Sequence, residues 1–382
     1  MQIAEMIIFW LMAMSVIYLF VFTLASKFYS KQERQQINKL NKFAVLFPAY
    51  REDKVIIQSI YSFLKQDYPS DKYEIIVISD QMKDSTNEEL SLFPIRLLIA
   101  DYKESSKAKA MKLAIEATLH EQYDMIIIMD ADNITTPDFL HEINQARNKG
   151  LKAIQAHRVA KNSDTNIAIL DAISEEINNS IFRKGHVTLG FSSALIGSGM
   201  ALDATWFRNN VKLLQTTGED KELEILLLKD NIYIEYLNHL LVFDEKIQKK
   251  ESLKNQRQRW VTAQFESLTS ALPYFPKALF TGNFDYCDKI IQWMLPPRIV
   301  LVFILFVFGC LTSFIRLEAS FKWWMLFAAL IFTLILAIPR QHFNKKTLKA
   351  ITQIPSLTFI MLSNIMKSKT VDKKFIHTDH GN

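Results

Sequence analysis

A run of five apolar residues, Met125–Met129, stops abruptly at Asp130-Ala131-Asp132-Asn133. A short, fully apolar run reads as a strand covered on both faces, and such strands belong to parallel sheets packed between helices. In those sheets, ligands gather beyond the carboxyl ends of the strands. Phe43–Phe47, Glu74–Ser79 and Ile95–Ile99 are further runs of strand length. Asp53–Gln66 and Ser106–His120 carry apolar residues at three- and four-residue spacing, which predicts helices. The expected fold class is therefore α/β, a mostly parallel sheet covered by helices. Pro48-Ala49-Tyr50-Arg51-Glu52 follows the first strand, Asp80 the second, and Asp130 and Asp132 the fourth. Each alone is more often a turn or helix cap; together they predict one carboxylate-rich edge.

The rest of the chain is unevenly apolar. Met6–Ala25 is twenty residues without a charge, long enough to cross a hydrocarbon layer of about 30 Å. Ile299–Ile315 and Trp323–Ile338 are shorter uncharged runs, with Trp293, Trp323 and Trp324 at their margins as interfacial anchors. A cleaved signal peptide is the competing reading of the first run. No basic residue precedes it, however, and Ala25-Ser26-Lys27 is a poor cleavage site. Lys27, Lys31, Arg34, Lys39 and Lys42 follow the first span, and Arg340, Lys345, Lys346 and Lys349 follow the third. By the positive-inside rule both flanks are cytoplasmic, so three spans leave the large domain inside a cell's inner (plasma) membrane. The predicted organisation is a span over 6–26, a catalytic domain over 43–250 and interfacial helices over 251–297. Spans over 299–316 and 323–339 and an interfacial tail over 350–382 complete it. The net charge of +5 suits anionic membrane lipids; no basic patch interleaved with aromatics calls for nucleic acid. Two cysteines, Cys287 and Cys310, build neither a disulfide framework nor a zinc site.

Six segments carry the chemistry: Pro48-Ala49-Tyr50-Arg51-Glu52, Ser106-Lys107-Ala108-Lys109-Ala110, Asp130-Ala131-Asp132, Gly197-Ser198-Gly199-Met200, Thr217-Gly218-Glu219-Asp220 and Gln256-Arg257-Gln258-Arg259-Trp260. In this order they resemble glycosyltransferase family 2, the membrane-bound inverting enzymes related to cellulose, hyaluronan and poly-N-acetylglucosamine synthases. The resemblance implies a GT-A fold, a UDP-sugar donor and a Mg²⁺ or Mn²⁺ ion. It puts Ala49, Tyr50 and Glu52 around the nucleotide base, with Asp80 accepting from the base ring. Lys107 opens a helix facing the donor phosphates. Asp132 is the expected metal ligand and Asp130 its ribose- or metal-side helper, since magnesium takes one or two protein carboxylates and fills its shell with water and phosphate. Gly199 and Glu219 fall on the acceptor side. Asp220 is the expected general base, taking the proton of the attacking hydroxyl. Gln256, Arg259 and Trp260 share a helix face at i, i+3 and i+4. There the guanidinium can pair with the diphosphate and the indole can floor the acceptor. The tail Phe375-Ile376-His377-Thr378-Asp379-His380-Gly381 resembles a gating loop, with Thr378 against the diphosphate and His380 where relatives have lysine.

The expected activity is transfer of a sugar to a lipid-linked or growing saccharide acceptor. A processive polymerase needs a channel, hence a helper membrane subunit beside three spans. A non-enzymatic membrane scaffold and a metal-dependent phosphohydrolase are the readings from other classes.

Overall fold

The computed structural model describes residues 2–30, 39–216 and 218–353. Thr217, the segment 354–366 and the gating-loop-like tail with Thr378 lie outside them.

Eight strands form one sheet: β1 Phe43–Tyr50, β2 Tyr73–Asp80, β3 Arg96–Ala100, β4 Met125–Ile128, β5 Ile134–Thr135, β6 Ala153–Ala160, β7 Met200–Asp203 and β8 Ile234–Asp244. Their order is β3-β2-β1-β4-β7-β6-β8-β5. The first four are mutually parallel. β7 runs antiparallel to both β4 and β6, β8 is parallel to β6, and the two-residue β5 closes the edge antiparallel. The continuous apolar runs have a direct cause. Ala44, Leu46, Ile76, Ile78, Ile126 and Ile128 enter one core, while their alternating neighbours Phe43, Val45, Phe47, Ile75, Val77, Met125 and Ile127 enter a second on the opposite face. Side chains alternate across a strand, so a strand buried on both sides has no polar position to spare. The two expected helices are shorter than their apolar patterns: Ile56–Phe63 and Lys107–Ala117, the latter capped by Ser106 Oγ accepting from Lys109 N.

Three helices are long and apolar enough to cross a membrane: Ile3–Phe28, Arg298–Ile315 and Leu317–Ala337. The last begins earlier than its uncharged run, because Lys322 and Glu318 sit at its outer end and Lys322 pairs with Glu5 at 2.9 Å. The opposite ends face the sheet domain: Arg298 donates to Ser174 O at 3.2 Å, and Ser180 Oγ to Ala337 O at 2.5 Å. The domain therefore sits at one end of a three-helix cluster in which Arg298–Ile315 runs opposite to the other two, and whose inner side chains (Val16, Leu19, Leu301, Leu305, Trp323, Leu330) also cover Ile181. Outward-facing Trp10, Phe306, Phe314 and Phe332 stay exposed, an apolar surface of the kind a hydrocarbon layer would cover.

Candidate active site

The loop after β4 folds back on itself through Asn133. Its amide nitrogen donates to Asp130 O at 3.1 Å, and its side-chain oxygen accepts from Asp130 N at 3.1 Å. Its Nδ2 reaches Asp132 Oδ1 at 3.0 Å and Asp244 Oδ1 at 3.4 Å. Wholly buried, Asn133 thus gathers Asp130, Asp132 and the last residue of β8. One carboxylate oxygen from each of the three acids lies within 4.8 Å of the others. Asp132 Oδ2 also accepts from Glu245 N at 3.0 Å.

Cations surround the acids. Lys107 donates to Asp130 and, at 2.8 Å, to Gly197 O, and lies 3.8 Å from Glu219. Burial alone would push the Lys107 ammonium down, but Asp130 and Glu219 outweigh it and hold it above its ordinary value. Burial likewise lifts Asp130, yet Lys107 and Arg158 keep its carboxyl below the usual range. Arg158 bridges Asp130 at 3.8 Å, Asp244 at 3.7 Å and Glu175 at 3.3 Å. Glu175 also takes Arg183 at 3.2 Å. Burial raises Glu175, but Arg158 and Arg183 prevail and hold it at about 2.

Across from Lys107 stands the acid pair. Glu219 and Asp220 open the helix Glu219–Lys229. Burial pushes Glu219 up to about 7, Asp220 adds to the rise and Lys107 opposes it. Gly218 allows a close approach: a Cβ there would lie 3.0 Å from Ala263 Cβ on the helix Lys250–Ala271. That close approach brings Arg259 under the influence of Glu219. Burial lowers the guanidinium below its ordinary value, and Glu219 partly offsets this. Trp260 instead packs under Arg257, whose guanidinium lies 4.5 Å from the ring centroid and pairs with Asp171 at 2.6 Å. Gln256 Oε1 is buried without a hydrogen-bond partner among the described residues.

The glycine loop divides in two. Gly197 (φ 84°) lies against Lys107, Glu219 and Asp220, whereas Gly199 (φ 62°) faces the sheet, where a Cβ would strike Val242 at 2.9 Å. Gln155, buried beneath, donates to Ser198 O at 2.9 Å and accepts from Ile196 N at 3.1 Å. Tyr50 and Asp80 are register partners at the ends of β1 and β2, one strand and two strands from β4. Tyr50 Oη donates to Gln81 Oε1 at 3.3 Å, and Arg51, at φ 57°, donates to the same oxygen at 2.6 Å. Ala49 is buried beside them. Burial raises the Asp80 carboxyl, with Ser105, Arg51 and Lys109 working the other way.

Asp244, Arg158, Asn133 and Gln155 were not among the residues expected from sequence. Asp244 had a signal, because it ends the largely apolar stretch Ile234–Phe243 just as Asp130 ends Met125–Met129. Arg158 and Gln155 had none. They lie mid-strand on β6, whose neighbours β7 and β8 come from far along the chain.

The donor set, three closely spaced hard oxygen ligands, suits Mg²⁺ or Mn²⁺ and not a soft thiophilic ion. The fold is of the GT-A type. Residues 41–263 match the family model for glycosyltransferase like family 2, and the chain belongs to that family. It is 24% identical over 251 residues to a beta-monoglucosyldiacylglycerol synthase from Trichormus variabilis, covering 61% of this chain and 51% of that protein. It is 25% identical over 238 residues to glucomannan 4-beta-mannosyltransferase 7 from Arabidopsis thaliana, covering 56% and 41%. The chain spans about half the length of the first relatives it matches. Among solved structures it resembles the mannosyltransferase PcManGT from Pyrobaculum calidifontis in complex with GDP-Man and Mn²⁺, with a TM-score of 0.54 and 15% identity over 86% of this chain and 95% of that one.

Proposed function

We propose that the protein is a membrane-bound inverting transferase that moves a sugar from a UDP-sugar to a lipid-linked or growing saccharide acceptor at the cytoplasmic face of the plasma membrane. The observation that carries this reading is the meeting of Asp130, Asp132 and Asp244, with Lys107 joining Asp130 to Glu219, next to Asp220. Residues 43–250 act as the transferase domain and 251–297 as its seat on the bilayer.

In this reading Asp132 and Asp244, steadied by Asn133, hold Mg²⁺ or Mn²⁺, with Asp130 toward the ribose. The ion supplies charge stabilisation at the departing diphosphate. Lys107 and Arg259 add positive charge on the same side, and Ala49, Tyr50, Glu52 and Asp80 receive the base. Asp220 takes the proton from the acceptor hydroxyl while that oxygen bonds to C1. The bond from C1 to the diphosphate oxygen breaks on the opposite face, so the anomeric configuration inverts. Glu219 stays between Lys107 and Arg259 and keeps both cations near the leaving group. Gln256 and Trp260 line the acceptor approach.

The glycolipid-synthase relatives and the three-helix cluster favour a single transfer to a lipid-borne acceptor. A processive synthase would draw its channel from a helper subunit. Membrane fractions assayed with a panel of UDP-sugars and GDP-mannose, with products read by mass, test this. A single-sugar glycolipid supports the reading. Long polymer from the purified chain would reverse the preference for single transfer, and free sugar released without acceptor would overturn the transferase reading.

A further inference from the structure

Behind the acid pair lies a buried ion pair that the reaction does not use. Glu224, on the helix opened by Glu219 and Asp220, meets Lys289 Nζ at 2.6 Å, and both side chains are almost wholly buried. Glu224 is one turn beyond Asp220, on the same helix face. The same carboxylate accepts from Leu195 N at 3.3 Å, two residues before the carbonyl that receives Lys107. One side chain thus braces both walls of the site: the acid helix and the loop that anchors Lys107.

The chain of polar contacts continues from Lys289, on the helix Phe284–Met294. Lys289 donates to Gln292 Oε1 at 2.6 Å, and Gln292 Nε2 lies 3.4 Å from His186 Nε2. His186 lies 3.2 Å from Asp288 and 3.0 Å from Tyr18 Oη, which donates to Asp288 at 2.8 Å. Tyr18 belongs to the first apolar helix. Apart from Gln292, the segments that carry the pair put Leu195, Leu223, Leu228, Ile290 and Trp293 into the apolar core. In such a setting a buried ion pair gives no stability that packed aliphatic side chains would not match. What it does supply is a directional constraint.

We propose that Glu224 and Lys289 are positioning residues for transfer, fixing Asp220 relative to the Lys107 loop and tying both to the first membrane helix through His186, Asp288 and Tyr18. This rests on the reading of Asp220 as the base.

The test compares Glu224→Gln, Lys289→Met and the double variant Glu224→Leu/Lys289→Met, in detergent micelles with Mn²⁺. Thermal unfolding, UDP affinity and steady-state turnover are read, the last with whichever of UDP-glucose, UDP-N-acetylglucosamine and GDP-mannose the wild type consumes. Each single variant leaves one buried group without its partner and unfolds at lower temperature. The double variant regains most of that loss and binds UDP within about 2-fold of wild type, yet kcat falls about 10- to 100-fold with little change in KM, as expected for misplacement near 1 Å. Hydrogen exchange of residues 192–199 rises in the double variant, a readout independent of substrate. If kcat and exchange return to wild-type values along with stability, the pair is only structural and the role is refuted. Asp220→Asn separates the two ideas. Turnover that survives this change sinks the assignment of the base, whereas a dead Asp220→Asn beside a fully active double variant sinks the positioning role alone.

Discussion

Gly185→Ala should unseat the first apolar helix. Gly185 ends a seven-residue π-helical segment, Asn179–Gly185, that crosses the helix Gln2–Ala25. A methyl at Gly185 would lie 2.1 Å from the carbonyl oxygen of Phe22 and 2.8 Å from its carbonyl carbon. Ordinary Cβ contact begins near 3.4 Å, so one backbone must retreat by about 1.3 Å. Neither obstacle is a side chain that can rotate away. With φ −63° at Gly185 the substitution carries no conformational penalty, and alanine would on propensity favour the helix by roughly 0.5–1 kcal/mol. Overpacking costs about 1–3 kcal/mol. The retreat also opens the stack of Phe22 on His186, whose rings lie 3.7 Å apart at 8°. A net loss of about 1–2 kcal/mol follows, or about 1–3 °C in thermal unfolding of a chain this long, measured in detergent. Gly309→Ala is the milder comparison, because its new methyl would lie 3.0 Å from the Trp324 ring, a side chain that needs to give by only a few tenths of an ångström. A Gly185→Ala protein as stable as wild type, or more stable, would refute the close seat of that helix on the domain.

Asp132→Asn should abolish Mn²⁺-dependent UDP binding in calorimetry, whereas Asp220→Asn should keep binding and lose turnover by at least about 100-fold. Because Glu219 titrates at about 7 instead of 4.5, kcat/KM should rise with pH through about 7, and this limb should vanish in Glu219→Gln. The same carboxyl makes the native state hold its proton longer than the unfolded chain. Its contribution to stability is therefore greatest below pH 4.5, declines up to about 7 and then levels off; the Gln variant should flatten that slope in thermal unfolding. Gly218→Ala should push the Lys250–Ala271 helix off the acid pair by a few tenths of an ångström, and a lowered kcat with unchanged UDP affinity would be its signature.

The α/β class, the parallel half of the sheet and the paired carboxylates of Asp130 and Asp132 were legible in the chain, because each is a local consequence of pattern. A strand buried on two faces must be continuously apolar, and its end is where polar residues first become tolerable. The three membrane-length helices were legible for the same reason, since a long uncharged apolar run is a local pattern that needs no knowledge of its neighbours. Tertiary structure alone decided the partners. Asp244 joins Asp130 only because β8 pairs with β6, and β6 reaches β4 only through the antiparallel β7; Arg158 and Gln155 come to the site on that same detour. Ion pairs such as Arg158 with Glu175, or Lys289 with Glu224, leave no period in the chain. Charge attracts at any sequence separation, and only the packed core determines which charges share a dry pocket.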